Sequence, residues 1–377
     1  MFRKLLLSPY YLTLSVRHML YDKGWKKSSK ADVPTICVGN ITVGGTGKTP
    51  HAEMILRTLL KSDRWAYSNI ALLSRGYKRK SKGFQKVDRT NGTAELFGDE
   101  PLQIARKFPI VTVAVDKDRN EGCRFLAHPD ELQTSKKARR CADKNIPKAD
   151  LILLDDAFQY RKLRASVNVV LVDYNRPIHR DALLPLGRLR DIPSRLKAAD
   201  ILIVTKCPAY LDAWERSRWA GWLGLRDYNA ATCTAITKNG EPKYLFFTGI
   251  DYSEMVPVFP EAADGRFIYA KRLVLFTGIA KDTPMVHYLS DAYKIVRHIR
   301  FPDHHKYTRA DIRQIEAAIR ENPTALLCTT EKDAQRVVDV KSVPEALKQR
   351  LFQLPIEVFF LTPEEKDVFE KVLEESL

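Results

Sequence analysis

Short runs of apolar residues recur along the first 204 residues, separated by stretches in which apolar residues have helical spacing. The runs occupy residues 35–38, 70–73, 110–115, 151–154, 167–172 and 201–204. Each has the length of a strand rather than of a helix. Alternation of this kind predicts an α/β fold in which helices flank both faces of a mostly parallel sheet.

A second alternating series begins near residue 244. Its apolar runs occupy residues 271–276, 295–301, 326–329 and 356–361. Residues 226–242, with Asn, Thr, Gly and Pro, separate the two series and mark a domain junction. The pattern therefore predicts a larger domain over residues 25–228, a smaller α/β domain over 243–377, and a separate N-terminal element over 1–24.

A glycine-rich segment follows the first predicted strand. Residues 39–50 read Gly-Asn-Ile-Thr-Val-Gly-Gly-Thr-Gly-Lys-Thr-Pro and lead into a helical pattern. The backbone N–H groups of such a P-loop bind phosphate oxygens. Lys48 is expected to contact the β- and γ-phosphates, and the Thr49 hydroxyl is expected to bind Mg²⁺. Thr42 replaces the usual first glycine, but the strand–loop–helix context supports a P-loop NTPase-like fold. The predicted phosphate-binding residues are Gly44, Gly45, Thr46, Gly47, Lys48 and Thr49.

Polar residues follow the predicted strands, at the edge where parallel sheets bind ligands. They include Ser74, Arg75, Asp116, Arg119, Asp155, Asp156, Gln159, Asp173, Thr205 and Lys206. An aspartate at a strand end beside a P-loop can hold the Mg²⁺ that bridges phosphates. Asp155 and Asp156 are therefore predicted metal residues, and the alternative is that they cap the next helix.

Two further polar turns are candidates for chemistry. Asp99 and Glu100 precede a predicted helix, where the turn supplies a general base or a metal-associated carboxylate, or Asp99 simply caps the helix. His304 and His305 follow Asp303 in the second series, where a histidine beside a carboxylate can orient a group or accept a proton. Zinc is disfavoured because no further His or Cys cluster completes a site. A plain polar loop is the alternative.

The chain is strongly basic, with a formal net charge of +16 over 377 residues. This charge implies an anionic partner such as a phosphorylated substrate or an anionic membrane surface. Nucleic acid is not expected, because no RNA-binding, helix-turn-helix or zinc-finger signature occurs. The six cysteines form no Cys-x-x-Cys pair and predict buried free thiols in a reducing compartment.

The N-terminal segment predicts an amphipathic helix. Ser8 and Pro9 are a plausible helix start and Gly24 a plausible stop, with Leu12 and Val16 on an apolar stripe between basic residues. The uncharged stretch is too short to span a bilayer, which takes about 20 residues. A helix lying in a membrane interface is favoured over one packed on the core.

Seven motifs in order give a specific resemblance. They are residues 39–50, Ser-Arg-Gly-Tyr at 74–77, Gly-Asp-Glu-Pro at 98–101, Asp-Asp-Ala-Phe-Gln at 155–159, Leu-Pro-Leu-Gly-Arg-Leu-Arg at 184–190, Phe-Pro-Asp-His at 301–304 and Thr-Glu-Lys-Asp-Ala at 330–334. With these motifs in this order, the chain resembles the tetraacyldisaccharide 4′-kinases, the lipid A 4′-kinases of Gram-negative bacteria. Thr42 agrees with that family. Ala157, where glycine is usual, and a basic insertion at 131–148 are small departures.

The resemblance implies a role for each matched residue. Lys48 and Thr49 would bind ATP and Mg²⁺, and Asp99 would act as base on the sugar hydroxyl, paired with His304. The metal would be held by Glu100, Asp155 and Asp156. The substrate would be bound or positioned by Arg75, Arg119, Gln159 and Arg190. The implied substrate is an acylated glucosamine disaccharide 1-phosphate, phosphorylated at its 4′-hydroxyl. The implied location is the cytoplasmic face of the inner membrane, with peripheral or interfacial attachment.

Two other classes of function remain as alternatives. A membrane-associated P-loop NTPase switch would use Thr205-Lys206, which resembles a guanine-reading motif but lacks its aspartate. A nucleic-acid-stimulated ATPase would rest on charge alone. Phosphorylation of a lipid disaccharide, or hydrolysis stimulated by DNA or RNA, distinguishes these functions. The sequence does not give the oligomeric state.

Overall fold

The computed structural model describes residues 2–377. The helices are α1 (Phe2–Asp22), α2 (Lys48–Lys61), α3 (Ala94–Phe97), α4 (Asp99–Lys107), α5 (Arg119–Ala127), α6 (Glu131–Thr134), α7 (Ala213–Trp222), α8 (Thr283–Ala292), α9 (Arg309–Arg320), α10 (Glu331–Val338), α11 (Glu345–Lys348) and α12 (Pro363–Glu375). The strands are β1 (Thr35–Asn40), β2 (Ile70–Ser74), β3 (Gln85–Lys86), β4 (Thr112–Val115), β5 (Leu151–Asp155), β6 (Val167–Asp173), β7 (Ile201–Thr205), β8 (Leu225–Asn229), β9 (Thr234–Thr237), β10 (Pro242–Tyr252), β11 (Val256–Pro257), β12 (Arg272–Thr277), β13 (Lys294–Arg300), β14 (Leu326–Thr330), β15 (Leu351–Leu354) and β16 (Ile356–Phe360).

The larger sheet has the order β3-β4-β2-β5-β1-β6-β7-β10-β9-β8, and β16 pairs with β10. Its centre, from β4 to β10, is parallel, whereas the outer strands and β16 are antiparallel. All six residues of β1 are buried. Ile36 and Val38 pack into the core on one face, and Cys37 into the core on the other, because side chains alternate along a strand. The predicted α/β class and mostly parallel sheet are confirmed.

The smaller sheet has the order β11-β15-β14-β12-β13. Strands β12, β13, β14 and β15 are parallel neighbours. Alternate residues of β12 again pack on opposite faces: Val274 and Phe276 join one core, and Leu273 and Leu275 the other. This sheet is the smaller α/β unit that the second series of apolar runs predicts.

The chain passes from the larger sheet to the smaller one and back. β10 runs parallel to β7, and the last strand, β16, returns to pair antiparallel with β10. α12 then packs Phe369 and Leu373 into a core of the larger sheet. The run at 356–361 is therefore a strand as predicted, but it belongs to the larger sheet rather than to a domain over 243–377. Local pattern cannot show this because strand pairing is a long-range property; the three-domain division stays a prediction.

Helix α1 is attached to the larger unit through one face. It begins at Phe2, so Pro9 lies inside the helix and not at its start as expected. Leu14 and His18 are buried, and His18 Nε2 lies 2.6 Å from Asp191 Oδ1. Leu12 is 63% exposed and Val16 41%. The helix therefore uses one face for packing and leaves much of the predicted apolar stripe exposed.

Candidate active site

The glycine-rich loop lies between β1 and α2. Gly44 and Gly47 have φ values of +105° and +87°, a conformation that residues with a Cβ rarely adopt. Within residues 2–377, the backbone N–H groups of Gly45, Gly47 and Lys48 make no hydrogen bond. These donors, together with the positive end of α2, are available to bind an anion.

Neighbouring strand ends hold this loop in place. Asn40 Nδ2 donates to Thr46 Oγ1 at 2.7 Å, and Thr205 Oγ1 donates to the Thr46 carbonyl at 2.9 Å. Lys206 Nζ lies 2.7 Å from Asp173 Oδ2 and also donates to the Gly45 carbonyl. The Thr205-Lys206 pair at the end of β7 therefore supports the phosphate loop.

His51, on the first turn of α2, joins the loop to the larger sheet. Its Nδ1 lies 2.7 Å from the Gly47 carbonyl and its Nε2 2.9 Å from Thr248 Oγ1. The carbonyl can only accept, so Nδ1 carries the proton and Thr248 donates to Nε2. Burial lowers the pKa of His51 to about 4, which keeps the ring neutral. This contact fixes the backbone at Gly47.

Lys48 lies beside a carboxylate at the end of β5. Its Nζ is 3.8 Å from Asp156 Oδ1, and Arg190 donates two hydrogen bonds to the same carboxylate. Burial opposes ionisation of Asp156, but the bonds from Arg190 and the charge of Lys48 outweigh it and lower its pKa. Burial lowers the pKa of Lys48, and the positive charges of Arg190 and Lys332 lower it further. The negative charge of Asp156 acts in the opposite direction but does not outweigh them. Positive charge is thus concentrated beside the phosphate loop.

Asp155 has the properties of a carboxylate that a cation would stabilise. Its Oδ2 accepts a hydrogen bond from Ser74 Oγ at 3.0 Å. Burial and the negative charges of Asp156 and Glu100 raise its pKa to about 6. No group of three or more His, Cys, Asp or Glu side chains in the described part of the chain is arranged to hold a metal alone. Mg²⁺ usually takes one or two carboxylates and completes its shell with phosphates and water, so these oxygen donors fit it.

The predicted Asp99–His304 pair brings the two sheets together. Asp99 begins α4, and His304 follows β13 with a φ of +59°. His304 Nδ1 lies 3.4 Å from Asp99 Oδ2. Arg336 of α10 binds the same oxygen, with Nε at 2.9 Å. Burial opposes ionisation of Asp99, but the hydrogen bonds from His304 and Arg336 outweigh it and lower its pKa to about 2.

Glu100, beside Asp99, makes a second contact between the units. Lys332 Nζ lies 2.7 Å from Glu100 Oε1. Burial opposes ionisation of Glu100, but the charge of Lys332 and its hydrogen bond lower the pKa. Glu100 thus has a cationic partner where sequence reasoning expects a metal, and its metal role stays a prediction.

The four predicted substrate residues differ in exposure and contacts. Arg75 is exposed after β2, whereas Arg119 is 2% exposed. Arg119 donates to the backbone carbonyls of Asp116 at 2.7 Å and Asp155 at 3.2 Å, so it supports the end of β5. Gln159 Nε2 donates to the Asn40 carbonyl. Arg190 binds Asp156, whose carboxylate lies 3.8 Å from Lys48 Nζ, and the substrate role of all four residues stays a prediction.

Sequence reasoning gave no role to several residues of this site. They are His51, Thr248, Lys332 and Arg336. A usable signal existed for two of them. Lys332 and Arg336 are four residues apart and so share one face of α10, next to the Thr-Glu-Lys-Asp-Ala motif. His51 and Thr248 are 197 positions apart, and only the fold brings them together.

The phosphate loop lies between a buried parallel strand and a helix, and Asp155 and Asp156 lie at the end of the adjacent strand. This arrangement defines a P-loop phosphotransferase or NTPase. The family model for tetraacyldisaccharide-1-P 4′-kinase matches residues 4–377. The chain belongs to that family.

Curated relatives and a solved structure agree with this assignment. The tetraacyldisaccharide 4′-kinase of Phocaeicola vulgatus is 36% identical over 356 residues, covering 93% of this chain and 88% of the relative. That of Parabacteroides distasonis is also 36% identical and covers 97% of this chain and 91% of the relative. A structure described as the "apo" form of LpxK from Aquifex aeolicus in complex with ATP has a TM-score of 0.69 and 25% identity. It covers 100% of this chain and 99% of that one.

Proposed function

We propose that the chain transfers the γ-phosphoryl group of ATP to the 4′-hydroxyl of a tetraacylated glucosamine disaccharide 1-phosphate. Membership of the 4′-kinase family over residues 4–377 supports the reaction and the substrate. The observation that carries the proposal is one site built from both sheets. Lys48 and Asp156 adjoin the phosphate loop, and Asp99 meets His304 across the interface.

The nucleotide would be bound by the loop after β1. Gly44, Gly45, Thr46 and Gly47 would supply the cradle, and Lys48 would neutralise the β- and γ-phosphates. Thr49, Asp155, Asp156 and Glu100 would hold Mg²⁺. When bound, Mg²⁺ would neutralise negative charge on the β- and γ-phosphates. Arg190 would hold Asp156 in place for this role, as it does in the structure.

Asp99 and His304 would act together on the acceptor. The 4′-oxygen forms the new bond to phosphorus as the bond from the γ-phosphorus to the leaving ADP oxygen breaks. Asp99 would be the base that accepts the hydroxyl proton, paired with His304. Since its pKa is lowered to about 2, Asp99 is ionised at neutral pH, as a proton acceptor must be.

Arg75, Arg119, Gln159 and Arg190 would position the substrate. Arg75 is the exposed member and the best placed to contact a substrate phosphate directly. Arg119 donates to the Asp155 carbonyl and Gln159 to the Asn40 carbonyl. These two residues would therefore act indirectly, by holding the backbone of the site in place. An arginine suits this purpose because its planar donors match phosphate oxygens.

The enzyme would attach to the cytoplasmic face of the inner membrane through α1. No helix within residues 2–377 is both long and apolar enough to cross a bilayer. Leu12, Val16 and Met19 are exposed on α1, and the chain carries a formal net charge of +16. An apolar face on a basic protein favours an anionic bilayer surface, where the lipid substrate also lies.

Purified protein incubated with ATP, Mg²⁺ and detergent-dispersed lipid disaccharide tests this function. The expected product is the lipid with one additional phosphate, formed by the wild type and lost in Lys48→Ala. ATP hydrolysis that DNA or RNA stimulates, without a lipid product, would contradict the proposal. The family match over residues 4–377 favours the kinase function over the switch and nucleic-acid ATPase alternatives.

A further inference from the structure

Arg336 of α10 lies at the centre of the contact between Asp99 and His304. Its side chain is 6% exposed. Nε donates to Asp99 Oδ2 at 2.9 Å, and Nη2 donates to the same oxygen. Nη2 also lies 3.2 Å from His304 Nδ1. One guanidinium therefore contacts both members of the predicted pair.

Arg336 is itself held in one position. Its Nη1 lies 3.1 Å from Asp333 Oδ1 and 3.3 Å from the Gly278 carbonyl. Asp333 is fully buried, and its Oδ2 accepts from the Gly278 N–H at 2.9 Å. The His304 N–H donates to the same Gly278 carbonyl at 3.2 Å. Arg336 and His304 are thus fixed to one peptide unit, so their separation is set by the backbone.

These two contacts require different hydrogen positions on Nδ1 of His304. The guanidinium can only donate, so its 3.2 Å contact uses Nδ1 as an acceptor on a neutral ring. The 3.4 Å contact from Nδ1 to Asp99 instead requires a proton on Nδ1. Arg336 binds Asp99 through Nε in either arrangement. The carboxylate therefore keeps its place whichever partner Nδ1 of His304 contacts.

We propose that Arg336 is a positioning residue that holds Asp99 and His304 in register across the two sheets. This role rests on the proposed kinase function, because its purpose is to keep the pair arranged for phosphoryl transfer. Arg336 acts through Asp99 and His304. The rival explanation is that Arg336 only ties α10 to α4.

Arg106 provides a matched control for that rival explanation. It lies on α4, and its Nη1 contacts Gln335 of α10, so it joins the same two helices without contacting Asp99 or His304. We expect Arg336→Gln to lower kcat by about 10- to 100-fold with KM for ATP within about 2-fold of the wild type. Arg336→Lys should recover part of that loss, and Arg106→Gln should leave kcat unchanged. Equal effects of Arg336→Gln and Arg106→Gln, or a matching loss of ATP binding, would overturn the proposal.

A measurement that needs no turnover separates this proposal from the kinase function. In protein labelled with ¹⁵N-histidine, the His304 imidazole signals are assigned from their absence in His304→Gln. Arg336→Gln should shift the Nδ1 resonance, whereas Arg106→Gln should not. Unchanged Nδ1 signals in Arg336→Gln would overturn the positioning role even if the lipid is phosphorylated. If Arg336→Gln shifts the Nδ1 signal but the wild type does not phosphorylate the lipid, the contact between Arg336 and His304 is established. That result would contradict the kinase function instead.

Discussion

His51 Nε2 lies 2.9 Å from Thr248 Oγ1, so a side chain of the phosphate-loop helix is bonded to β10. The other ring nitrogen binds the Gly47 carbonyl. β10 is also the strand that leads into the smaller unit. His51 therefore connects the phosphate loop, through hydrogen bonds, to the strand from which the smaller unit begins. Since Nδ1 already carries a proton, further protonation can occur only at Nε2 and would remove the acceptor of the bond from Thr248.

The neutral His51 predicts a dependence of stability on pH. Its pKa is lowered to about 4 in the folded protein, against about 6.5 when unfolded. Between these values the unfolded chain binds the proton and the folded chain does not, so the free energy of unfolding falls as pH falls. The full contribution is roughly 3 kcal/mol. Denaturant unfolding at several pH values should show a shallower loss of stability below pH 6.5 in His51→Gln.

Asp155 provides the internal contrast for that experiment. Burial raises its pKa to about 6, so its contribution is present at low pH and is lost as pH rises from about 4 to 6. The two effects have opposite signs and overlap. The difference between wild type and His51→Gln therefore isolates His51, and parallel pH curves for the two proteins would show that His51 does not titrate as described.

Lys48→Ala should abolish phosphoryl transfer and leave the fold intact. Lys48 lies at the start of α2, where its charge adjoins Asp156 and would neutralise the phosphates of the nucleotide. Lys61→Ala, at the exposed end of the same helix, is the matched control. Lipid phosphorylation and thermal unfolding are measured on both variants. Near wild-type turnover and unchanged ATP affinity in Lys48→Ala would remove the phosphate-loop assignment.

The exposed face of α1 should govern membrane association. Deleting residues 1–23 would remove Leu14 and His18, which are buried, so deletion confounds binding with stability. Replacing Leu12, Val16 and Met19 with serine should instead lower partition into anionic vesicles by at least about 10-fold with little change in Tm.

Ile110→Ser is the control for that substitution, since Ile110 is 72% exposed in the loop before β4. Vesicle flotation is measured for both variants with anionic and with neutral lipid. Equal flotation of the α1 variant and the wild type would contradict the interfacial role. Loss of stability in the α1 variant would indicate that this face packs against the protein.

Asp99→Ala and His304→Ala should each lower kcat by about 10²–10⁴-fold, the usual span for a positioned acid–base group. The double variant should be little worse than the worse single variant, because residues that act as a unit are non-additive. Steady-state kinetics with ATP binding measured separately checks this. Additive losses in log kcat with normal ATP binding would show that the two residues act independently.

The sequence predicted the parts of the fold that rest on local pattern. β1, β2, β5, β6 and β7 lie within two residues of the expected runs, because buried parallel strands are continuously apolar. The pairing of β16 with β10 was missed, since nothing near residue 356 indicates which sheet it joins.

The candidate site was predictable to a similar extent. Residues in motifs at strand ends, such as Lys48 and Asp156, are found by position alone. The contacts of Arg336 with Asp99 and of His51 with Thr248 link residues 237 and 197 positions apart. The first depends on how the two sheets pack, and the second on where β10 lies in the larger sheet. Arg119 shows the converse, since the family resemblance implies a substrate role and its hydrogen-bond partners in the described residues are backbone carbonyls.

Site-specific analysis of the lipid product tests the central claim most directly. The wild type is incubated with γ-labelled ATP, Mg²⁺ and tetraacylated disaccharide 1-phosphate, and the position of the transferred label is determined by mass spectrometry and NMR. We predict one labelled phosphate on the 4′-oxygen, formed at a rate that Lys48→Ala abolishes and Lys61→Ala preserves. Label released as inorganic phosphate without a labelled lipid, or attached at another position, would contradict the assignment.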